Sequence, residues 1–458
     1  MKLDDLEWQF SNYGGLPPRT VRLLLEGGHL DLVIEAARDR GEWFCADAAV
    51  RELCRAGEFE RAWAVLEPFV AVGWREAVWL RAEVLLQWGR ADEALELVRP
   101  DEEGRRSGRV CRDFAELLVR AGRVDEAIDV LAPHVEESWL LSSLVEMTEG
   151  QGRDERILEL IAPLAERVRR ARAEGRCHDP AWEAQALQAR VLERAGRADE
   201  AIRILGADVA ARRYLVQNTL TAYAELLARQ GRIEELRALG TGEHATTALG
   251  HYAKALEDLG RADEAEAVLR EFIDATDHPG HRGALVDLLG RQGRIDDAVE
   301  VGRPTFEYFD CGNHLEWIVD LLIEDGRPER ALELLDGLGE KYVEEHSWWV
   351  RPTRLRLLGE AGRLREALAE AAALPADEYA GLATAVAWLL ERDGRVDEAA
   401  DLLRTAEPGS PWQLAELLIG QGRPAEAIAA MPAVSAQREE AIRRREAARP
   451  REGYEPPF

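Results

Sequence analysis

The chain has 458 residues, 46% of them hydrophobic, so it can bury a large core and is not expected to be disordered. Its 87 acidic and 59 basic residues give a formal net charge of −28, which disfavours a protein that must neutralise phosphates and suits one with a cationic partner. No window approaches 18 apolar residues and no basic N-terminal region precedes an apolar run, so neither a membrane span nor a signal peptide is predicted.

The cysteine and arginine contents predict the cellular setting. Five cysteines, at positions 45, 54, 111, 177 and 311, are odd in number and widely spaced, so no disulfide framework is predicted and a cytoplasmic location is favoured. The basic residues are 56 arginines and only 3 lysines, in a chain rich in alanine and glycine. This composition is typical of a GC-rich bacterial genome.

The N-terminal residues 1–16 are predicted to form a lead-in segment. The stretch SNYGGLPP at residues 11–18 has the composition of a loop, and a helix is predicted to start near Pro18.

A short sequence motif with glycine near its centre then recurs with a spacing close to 33 residues. Self-similarity at this period is typical of a solenoid, and it predicts a repeat array over residues 17–432. The thirteen aligned glycines are Gly28, Gly57, Gly89, Gly122, Gly152, Gly196, Gly231, Gly260, Gly293, Gly326, Gly362, Gly394 and Gly422.

The fourth copy shows the predicted content of one repeat. Two apolar stripes with helical spacing flank Gly122, at Phe114, Leu117, Leu118 and Ala121, and at Val124, Ala127, Ile128 and Leu131. Gly122 can adopt the left-handed conformation that ends a helix. Each copy is therefore predicted to be a helix, a tight turn and a shorter second helix.

Prolines eleven residues past the glycine are predicted to stop the second helix, because proline lacks the amide donor. They are Pro68, Pro100, Pro133, Pro163 and Pro304.

Two columns of small residues predict how the helices of one repeat pack. Alanine stands five residues after the glycine in ten copies, and a small or aliphatic residue stands seven residues before it. A methyl group in both columns would let two helix backbones approach closely. Arginine directly follows the glycine in eleven copies, and its recurrence favours a structural role at the turn over a catalytic one.

The run G-R-x-D-E-A-I at residues 122–128 and 196–202 resembles the turn and second-helix start of tetratricopeptide repeats. This resemblance implies an all-α fold, a right-handed superhelical α-solenoid of about thirteen antiparallel helix-turn-helix repeats. It also implies that the first helices line the concave side. The sequence departs from the family pattern in two places. The first-helix Trp and Tyr positions of the family are mostly aliphatic here, and the closing proline comes about six residues early.

By that resemblance, residues six before each glycine point inward, and seven of them are acidic against five basic. A mixed-charge, solvated face and an electronegative groove for a basic segment of a partner both fit this pattern. The acidic candidates for partner binding include Glu83, Glu116, Glu146, Glu225, Asp287 and Asp320.

Tryptophans that point inward by the same resemblance are candidate anchors for a partner, with packing against the preceding copy's second helix as the alternative. Trp348 and Trp349 are adjacent, so a narrow buried stripe can hardly hide both, and one of them is the best single anchor candidate. The candidates are Trp79, Trp139, Trp349, Trp388 and Trp412.

The longest gap between glycines holds a basic insertion near residues 164–181. The residues suggest an extended second helix followed by a longer loop, with a docking patch for an acidic partner as the alternative. The patch would consist of Arg167, Arg169, Arg170, Arg172 and Arg176.

Residues 433–458 are predicted to be a C-terminal capping helix followed by a Pro-rich tail. A terminal repeat must present a polar face to water, which favours capping, while YEPPF at residues 454–458 could instead be a short peptide handle.

No catalytic or cofactor motif is found, so the chain is predicted not to be an enzyme and to need no cofactor. His278 and His281, with Asp277 nearby, lie in a Pro-Gly turn without a third metal ligand, and Cys177 with His178 lacks an orienting group.

The sequence therefore favours a non-catalytic scaffold that binds a protein or peptide in the concave groove. The alternatives are an RNA-binding helical-repeat protein, which would need a basic groove, and a regulatory subunit of an enzyme or transcription complex. Nucleic acid is disfavoured by the charge, and no membrane partner is expected.

Overall fold

The structure is a computed structural model, and it describes residues 1–176, 178–211, 217–276, 279–306, 314–406 and 411–447. All regular secondary structure in these residues is helical. The described residues form two compact units, one from those within residues 1–99 and 348–447 and the other from those within residues 100–347. We refer to them as unit 1 and unit 2.

The helices of the first half are α1 (Leu3–Asn12), α2 (Pro18–Glu26), α3 (Leu30–Arg40), α4 (Trp43–Arg55), α5 (Phe59–Ala71), α6 (Arg75–Gln87), α7 (Ala91–Leu97), α8 (Gly108–Arg120), α9 (Val124–Leu131), α10 (Ser138–Met147), α11 (Asp154–Ala173), α12 (Ala184–Arg194), α13 (Ala198–Ala210), α14 (Gln217–Arg229) and α15 (Ile233–Gly240). Those of the second half are α16 (Ala245–Asp258), α17 (Ala262–Thr276), α18 (Pro279–Arg291), α19 (Ile295–Gly302), α20 (His314–Glu324), α21 (Pro328–Asp336), α22 (Glu340–Glu345), α23 (Ser347–Glu360), α24 (Leu364–Ala372), α25 (Ala376–Gly381), α26 (Ala383–Arg392), α27 (Val396–Thr405), α28 (Pro411–Gly420), α29 (Pro424–Ala430) and α30 (Val434–Ala447).

Successive helices pack as antiparallel pairs, so the predicted all-α helical-repeat fold is confirmed. No strand occurs in the described ranges. No helix within them has both the length and the apolar character that crossing a membrane requires.

The thirteen repeat glycines all adopt the predicted left-handed conformation, with φ between 65° and 81°. In the fourth repeat, the amide of Gly122 donates to the carbonyl of Val119 at 2.9 Å, and the amide of Arg123 donates to that of Leu118 at 2.8 Å. This pair of hydrogen bonds satisfies the last carbonyls of α8 and turns the chain into α9.

The two columns of small residues are buried as the sequence predicted. The ten alanines that follow the glycines by five residues have no exposed surface at all: Ala62, Ala94, Ala127, Ala201, Ala265, Ala298, Ala331, Ala367, Ala399 and Ala427. The alanines seven residues before the glycines are also buried, as at Ala82, Ala115 and Ala224. The helices of each pair can therefore approach closely along these columns.

Arginine follows eleven of the glycines, and Arg123 and Arg153 show the structural role predicted for it. Arg123 forms two hydrogen bonds of 2.5 Å with Glu126, three residues further on. Arg153 pairs with Asp125 of the preceding repeat through two contacts of 2.8 Å. These exposed ion pairs join residues within the first turn of a second helix and link that helix to the second helix of the next repeat.

Proline was predicted to end the second helix of its repeat, and this prediction is wrong at two positions. Pro68 lies inside α5 and Pro163 inside α11, whereas Pro133 and Pro304 lie in 3₁₀ turns directly after α9 and α19. In α5 the turn after Pro68 buries Phe69, and in α11 it buries Leu164, Ala165, Val168 and Ala171. Burial of this apolar surface offsets the roughly 3 kcal/mol cost of a proline inside a helix.

In unit 1 the first and last of the described helices, α1 and α30, pack against each other. The helix α1 precedes a loop at residues 13–17, and it contacts α30, while α2 contacts α28. Arg438 of α30 forms ion pairs with Asp5 at 3.0 Å and Asp4 at 3.3 Å, and Arg19 of α2 pairs with Glu416 of α28 at 3.1 Å.

A buried carboxylate organises this contact. Glu42 has no exposed surface and accepts hydrogen bonds from Gln9 Nε2 at 2.8 Å, Leu16 N at 2.9 Å and Arg40 Nε at 3.3 Å. Its burial raises the pKa of the carboxyl above the usual value of 4.5, although these three partners favour the charged form. Arg40 also donates to the carbonyls of Ile428 at 2.6 Å and Met431 at 2.8 Å, and so satisfies the C-terminal end of α29.

Candidate functional site

The first helices of successive repeats lie side by side in unit 2. Contacts connect α8 to α10, and continue in order through α12, α14, α16, α18 and α20. One helix from each repeat thus contributes to a continuous surface, which we name the first-helix face and define by these seven helices. Its exposed side chains are the positions where a partner could be recognised repeat by repeat.

The predicted acidic column lies on this face. Glu116, Glu146, Glu225, Asp287 and Asp320 are all exposed, one each on α8, α10, α14, α18 and α20. Arg190 of α12 occupies the same column, and its Nη1 is 3.9 Å from Oε1 of Glu146 in the preceding repeat. This distance shows that the column is in register across the α10–α12 junction.

The sixth acidic candidate, Glu83, is half-buried on α6 of unit 1. Arg51 of α4 stands in the equivalent position of the preceding repeat. Its pKa is raised, chiefly by hydrogen bonds with Asp47 and to a smaller extent by the charge of Glu83. The hydrogen-bonded partner of Arg51 is therefore Asp47 of its own helix, and Glu83 of the next repeat acts on it through its charge.

Arginines on the first-helix face pair with carboxylates of neighbouring helices. Arg229 Nη2 is 2.8 Å from Oε2 of Glu193 in the preceding repeat, and this hydrogen bond lowers the pKa of Glu193. Arg291 repeats the arrangement with Glu257, also at 2.8 Å. Each such pair neutralises a carboxylate as well as a guanidinium group, and within the column Glu116 lies 3.6 Å from Arg112 and Glu225 lies 3.7 Å from Arg229.

A pocket of about 520 Å³ opens between α12 and α14. Leu187, Leu205 and Leu226 form its apolar part. Its charged rim is balanced, with three carboxylates and three guanidinium groups: Glu149, Glu193, Glu225, Arg190, Arg194 and Arg229. This pocket is suited to an apolar side chain of a bound segment whose polar backbone contacts the rim.

The structure separates the five tryptophan candidates. Trp349 is buried, while the adjacent Trp348 is 71% exposed. Trp139 and Trp412 are 47% and 46% exposed, so they can contact a partner. The remaining two, Trp79 and Trp388, are half-buried, and the guanidinium of Arg392 lies 4.8 Å from the ring centre of Trp388. An anchoring role for any of the five stays a prediction.

Most of the basic cluster at residues 167–176 is engaged within the chain. Arg167 forms two contacts of 3.1 Å with Asp179, and Arg169 is 2.9 Å from Asp208 of α13. Arg172 donates to the carbonyl of Trp182 at 3.0 Å, and Arg176 pairs with Glu174. Arg170 is exposed. These contacts hold the extended helix α11 against the segment that follows it, and docking of an acidic partner there stays a prediction.

Of the histidine and cysteine candidates, only His178 and His281 lie in the part of the chain that the structure describes. Cys177, Asp277 and His278 lie outside the described residues. His281 is buried, with Nδ1 3.3 Å from Thr276 Oγ1 and its ring against the edge of Phe272. In the part of the chain that the structure describes, no three His, Cys, Asp or Glu side chains are grouped to hold a metal ion.

Comparison with known families supports this reading of the repeats. A family model described as Tetratricopeptide repeat matches residues 76–100, 247–271 and 412–431. These segments coincide with the helix pairs α6–α7, α16–α17 and α28–α29. The chain therefore contains tetratricopeptide-like repeats at these three places. Its repeats accordingly suggest a protein-interaction scaffold. A search of curated proteins gave no match.

Solved helical-repeat structures are similar to the chain only loosely. A chain from the structure of Naa15/Naa10 bound to HypK-THB has 15% identity and a TM-score of 0.35, with 84% of this chain and 67% of that chain covered. The pentatricopeptide repeat protein PPR10 from maize has 16% identity and a TM-score of 0.32, with 91% and 68% covered. Yeast Tom70 has 13% identity and a TM-score of 0.30, with 88% and 94% covered. Similarity at this level carries no argument about the role of this chain.

Proposed function

We propose that the chain is a non-catalytic scaffold that binds a partner protein or peptide on the first-helix face, the concave side of a tetratricopeptide-like array over residues 17–432. The observation that carries the proposal is the column of exposed carboxylates at one repeated position: Glu116, Glu146, Glu225, Asp287 and Asp320. A surface built from identical positions of successive repeats can bind an extended segment over many contacts.

The charge of unit 2 supports a partner with a basic segment. Of the 87 acidic and 59 basic residues, 51 and 32 lie in residues 100–347. A negative field around the face would steer a cationic segment towards it and would repel the phosphates of RNA. We therefore propose a basic protein segment, and not nucleic acid, as the ligand of this face.

Free thiols support the proposal of a cytoplasmic protein. Cys45, Cys54 and Cys111 are buried and unpaired with one another, and burial raises the pKa of each thiol. Such thiols are inert structural groups, as is usual in a reducing compartment.

The proposal is tested with a charge-reversal variant that combines Glu116→Lys, Glu146→Lys, Glu225→Lys and Asp287→Lys. A control variant carries Asp263→Lys and Glu271→Lys, which are exposed on the second helix α17. Proteins captured by the tagged wild-type chain from its native cells would be identified by mass spectrometry and compared at low and high salt. We expect a partner that the wild type and the control retain, that the reversal variant loses by at least tenfold, and that salt releases.

Two results would contradict the proposal. The first is a partner that all three chains retain equally, because binding would then not use the carboxylate column. The second is salt-sensitive binding of a mixed RNA pool by the wild type in a filter assay, which would indicate that the first-helix face binds nucleic acid. Circular dichroism would verify that the reversal variant keeps its helix content.

A further inference from the structure

A second pocket, of about 1080 Å³, lies inside unit 1 where the N-terminal segment meets α28 and α30. We name it the terminal pocket. Three aromatic side chains line it, namely Trp8, Tyr13 and Trp412. Tyr13 is 70% exposed and Trp412 is 46% exposed, so their rings are open to a ligand. None of the first-helix face belongs to this pocket, which is therefore independent of the function proposed above.

Tyr13, which lines the pocket, ends α1 in the left-handed conformation, and the amide of Gly14 donates to the carbonyl of Gln9 at 3.1 Å. The φ of Tyr13 is 53°, and no other non-glycine residue among those described has a positive φ. An L-residue keeps this conformation only where its surroundings enforce it, and such residues concentrate at functional sites. The Tyr13 ring stacks on Phe44, with ring centres 5.8 Å apart and planes 9° from parallel.

The neighbouring wall of the pocket is equally constrained. At Gly14, an added Cβ would come within 2.1 Å of the Trp8 ring, so only glycine lets that ring lie against the loop. Gly15 is fixed from the other side, because its amide donates to Gln437 Oε1 at 3.0 Å. The rings of Trp8 and Tyr13 are thus held in place before any ligand binds.

The charges around the terminal pocket are already paired. Arg19 lies 3.1 Å from Glu416, and Arg444 donates to Glu440 at 2.8 Å. The rest of the lining is apolar or uncharged, so the pocket favours an uncharged ligand with ring-shaped side chains. Grooves lined by aromatic rings bind proline-rich segments, because a polyproline II helix is preformed and loses little entropy on binding.

The chain contains such a segment directly after α30. Residues 448–458 read ARPREGYEPPF, and α30 itself lines the pocket with one stripe, Ala436, Gln437, Glu440, Ala441 and Arg444. This stripe covers about 12 Å of helix. Eleven residues in a polyproline II conformation span about 34 Å, which is enough to reverse direction beyond Ala447 and return along the stripe. We propose that the terminal pocket binds residues 448–458 of the same chain, through Tyr454, Pro456, Pro457 and Phe458.

The test compares the full chain with a tail variant in which Tyr454, Pro456, Pro457 and Phe458 are all replaced by Ser. The probe is a fluorescently labelled peptide of residues 448–458, and binding is followed by fluorescence anisotropy. A tethered tail has an effective concentration in the millimolar range, so we expect the peptide to bind the tail variant at least tenfold more tightly than the unmodified chain. Equal affinity for both chains, or no binding to either, would overturn the proposal.

Substitutions in the pocket make the test specific. In the tail variant, we expect Trp412→Ala to weaken peptide binding at least fivefold. The matched control is Trp348→Ala, which removes a more exposed tryptophan of unit 1 that does not line the pocket. Circular dichroism would show whether both substituted chains keep their helices. Equal effects of the two substitutions would contradict the proposal.

Crosslinking in the full chain distinguishes the tail of the same chain from that of a second copy. With p-benzoylphenylalanine at position 454, we expect a product of monomer mass that joins the tail to residues 8–19 or 411–444. A product of dimer mass would instead show that the tail of a second copy binds in the pocket. Crosslinks to other residues only would show that the tail does not bind there.

Discussion

At the turn of each repeat, a single backbone torsion sets the need for glycine. Gly122 has a φ of 77° and Gly420, at the end of α28, lies outside the left-handed region, yet a Cβ at either would meet nothing within 4 Å. We expect Gly122→Ala to lower the free energy of unfolding by about 1–2 kcal/mol and Gly420→Ala to be neutral or stabilising. Urea denaturation of both variants checks this, and equal effects would mean that space, not torsion, is decisive.

The buried alanine columns leave no room for a larger side chain. We expect Ala127→Leu to lower the free energy of unfolding by roughly 1–3 kcal/mol, because three added carbons must displace the facing helix. Ala162, exposed on α11, is the control, and Ala162→Leu should change stability by no more than about 0.5 kcal/mol. The same denaturation measurement applies, and a neutral Ala127→Leu would show that the helix pairs are loosely packed.

Asp125 provides a titration that reports on contact between repeats. The hydrogen bonds from Arg153, and secondarily those from Arg156, lower the pKa of this carboxyl to about 2 from its usual 3.8. Its folded pKa is depressed, so its contribution to stability is present above pH 3.8 and is lost as the pH falls towards 2.

The titration is measured by carbon NMR of aspartate-labelled protein, with Asp125→Asn to assign the signal. We expect Arg153→Ala to return the pKa towards 3.8. An unchanged pKa in that variant would mean that the pair does not form in solution.

At the scale of the helix, the sequence predicted the turns well and the helix ends less well. Glycine at a fixed offset sufficed for the turns, because the left-handed conformation is a local requirement. Pro68 and Pro163 were expected to stop helices, and did not, because the turns that follow them bury apolar side chains contributed by packing. Which of Trp348 and Trp349 would be buried was also beyond local reasoning, since it depends on what packs against α23.

The end of α29 depends on a side chain from α3. Removing Arg40 would leave Glu42 buried without its cation and would free the carbonyls of Ile428 and Met431. We expect Arg40→Ala to lower the free energy of unfolding by about 3–5 kcal/mol, and Glu42→Gln, which keeps a polar group of the same shape, to cost about 1 kcal/mol. Burial raises the pKa of Glu42, so its carboxyl becomes neutral as the pH falls towards 4.5. The loss in free energy of unfolding caused by Arg40→Ala should therefore become smaller over this range.

Amide hydrogen exchange with mass spectrometry locates the effect of Arg40→Ala. Exchange should accelerate in α29 and α30, with helices of residues 100–347 as the internal reference. Acceleration confined to α3 and α4 would show that the contact with α29 contributes little.

At the scale of the whole chain, nothing in the sequence indicated that residues 1–99 share a unit with residues after position 348. The partners that join them are far apart, with 388 positions between Arg40 and Ile428 and 422 between Gly15 and Gln437. A repeat pattern encodes contacts between neighbours, so pairings at such separation have no periodic signal. Trp8 and Tyr13 of the terminal pocket were missed for the same reason, whereas Trp412 was a candidate anchor from its place in the repeat; the Tyr-Gly-Gly of residues 13–15 is an unusual local signal.

Deletion of residues 1–16 tests how much unit 1 depends on its N-terminal segment. The deletion removes Gln9, the Asp4 and Asp5 partners of Arg438, and the amide of Gly15 that binds Gln437. We expect faster hydrogen exchange in α30, more than 400 positions away, and a lower midpoint of urea denaturation. Unchanged exchange in α30 would mean that the N-terminal contacts are dispensable.

The meeting of the ends also restricts how this protein can evolve. Helical-repeat chains commonly change length by gene duplication, since a unit added at a free end only needs one neighbour. Here a duplicated unit placed between α29 and α30 would pull Gln437 and Arg438 away from Gly15, Asp4 and Asp5. Insertion of a repeat between α29 and α30 would therefore break these hydrogen bonds and ion pairs. We expect related chains to keep the number of repeats constant at this point and to vary it elsewhere.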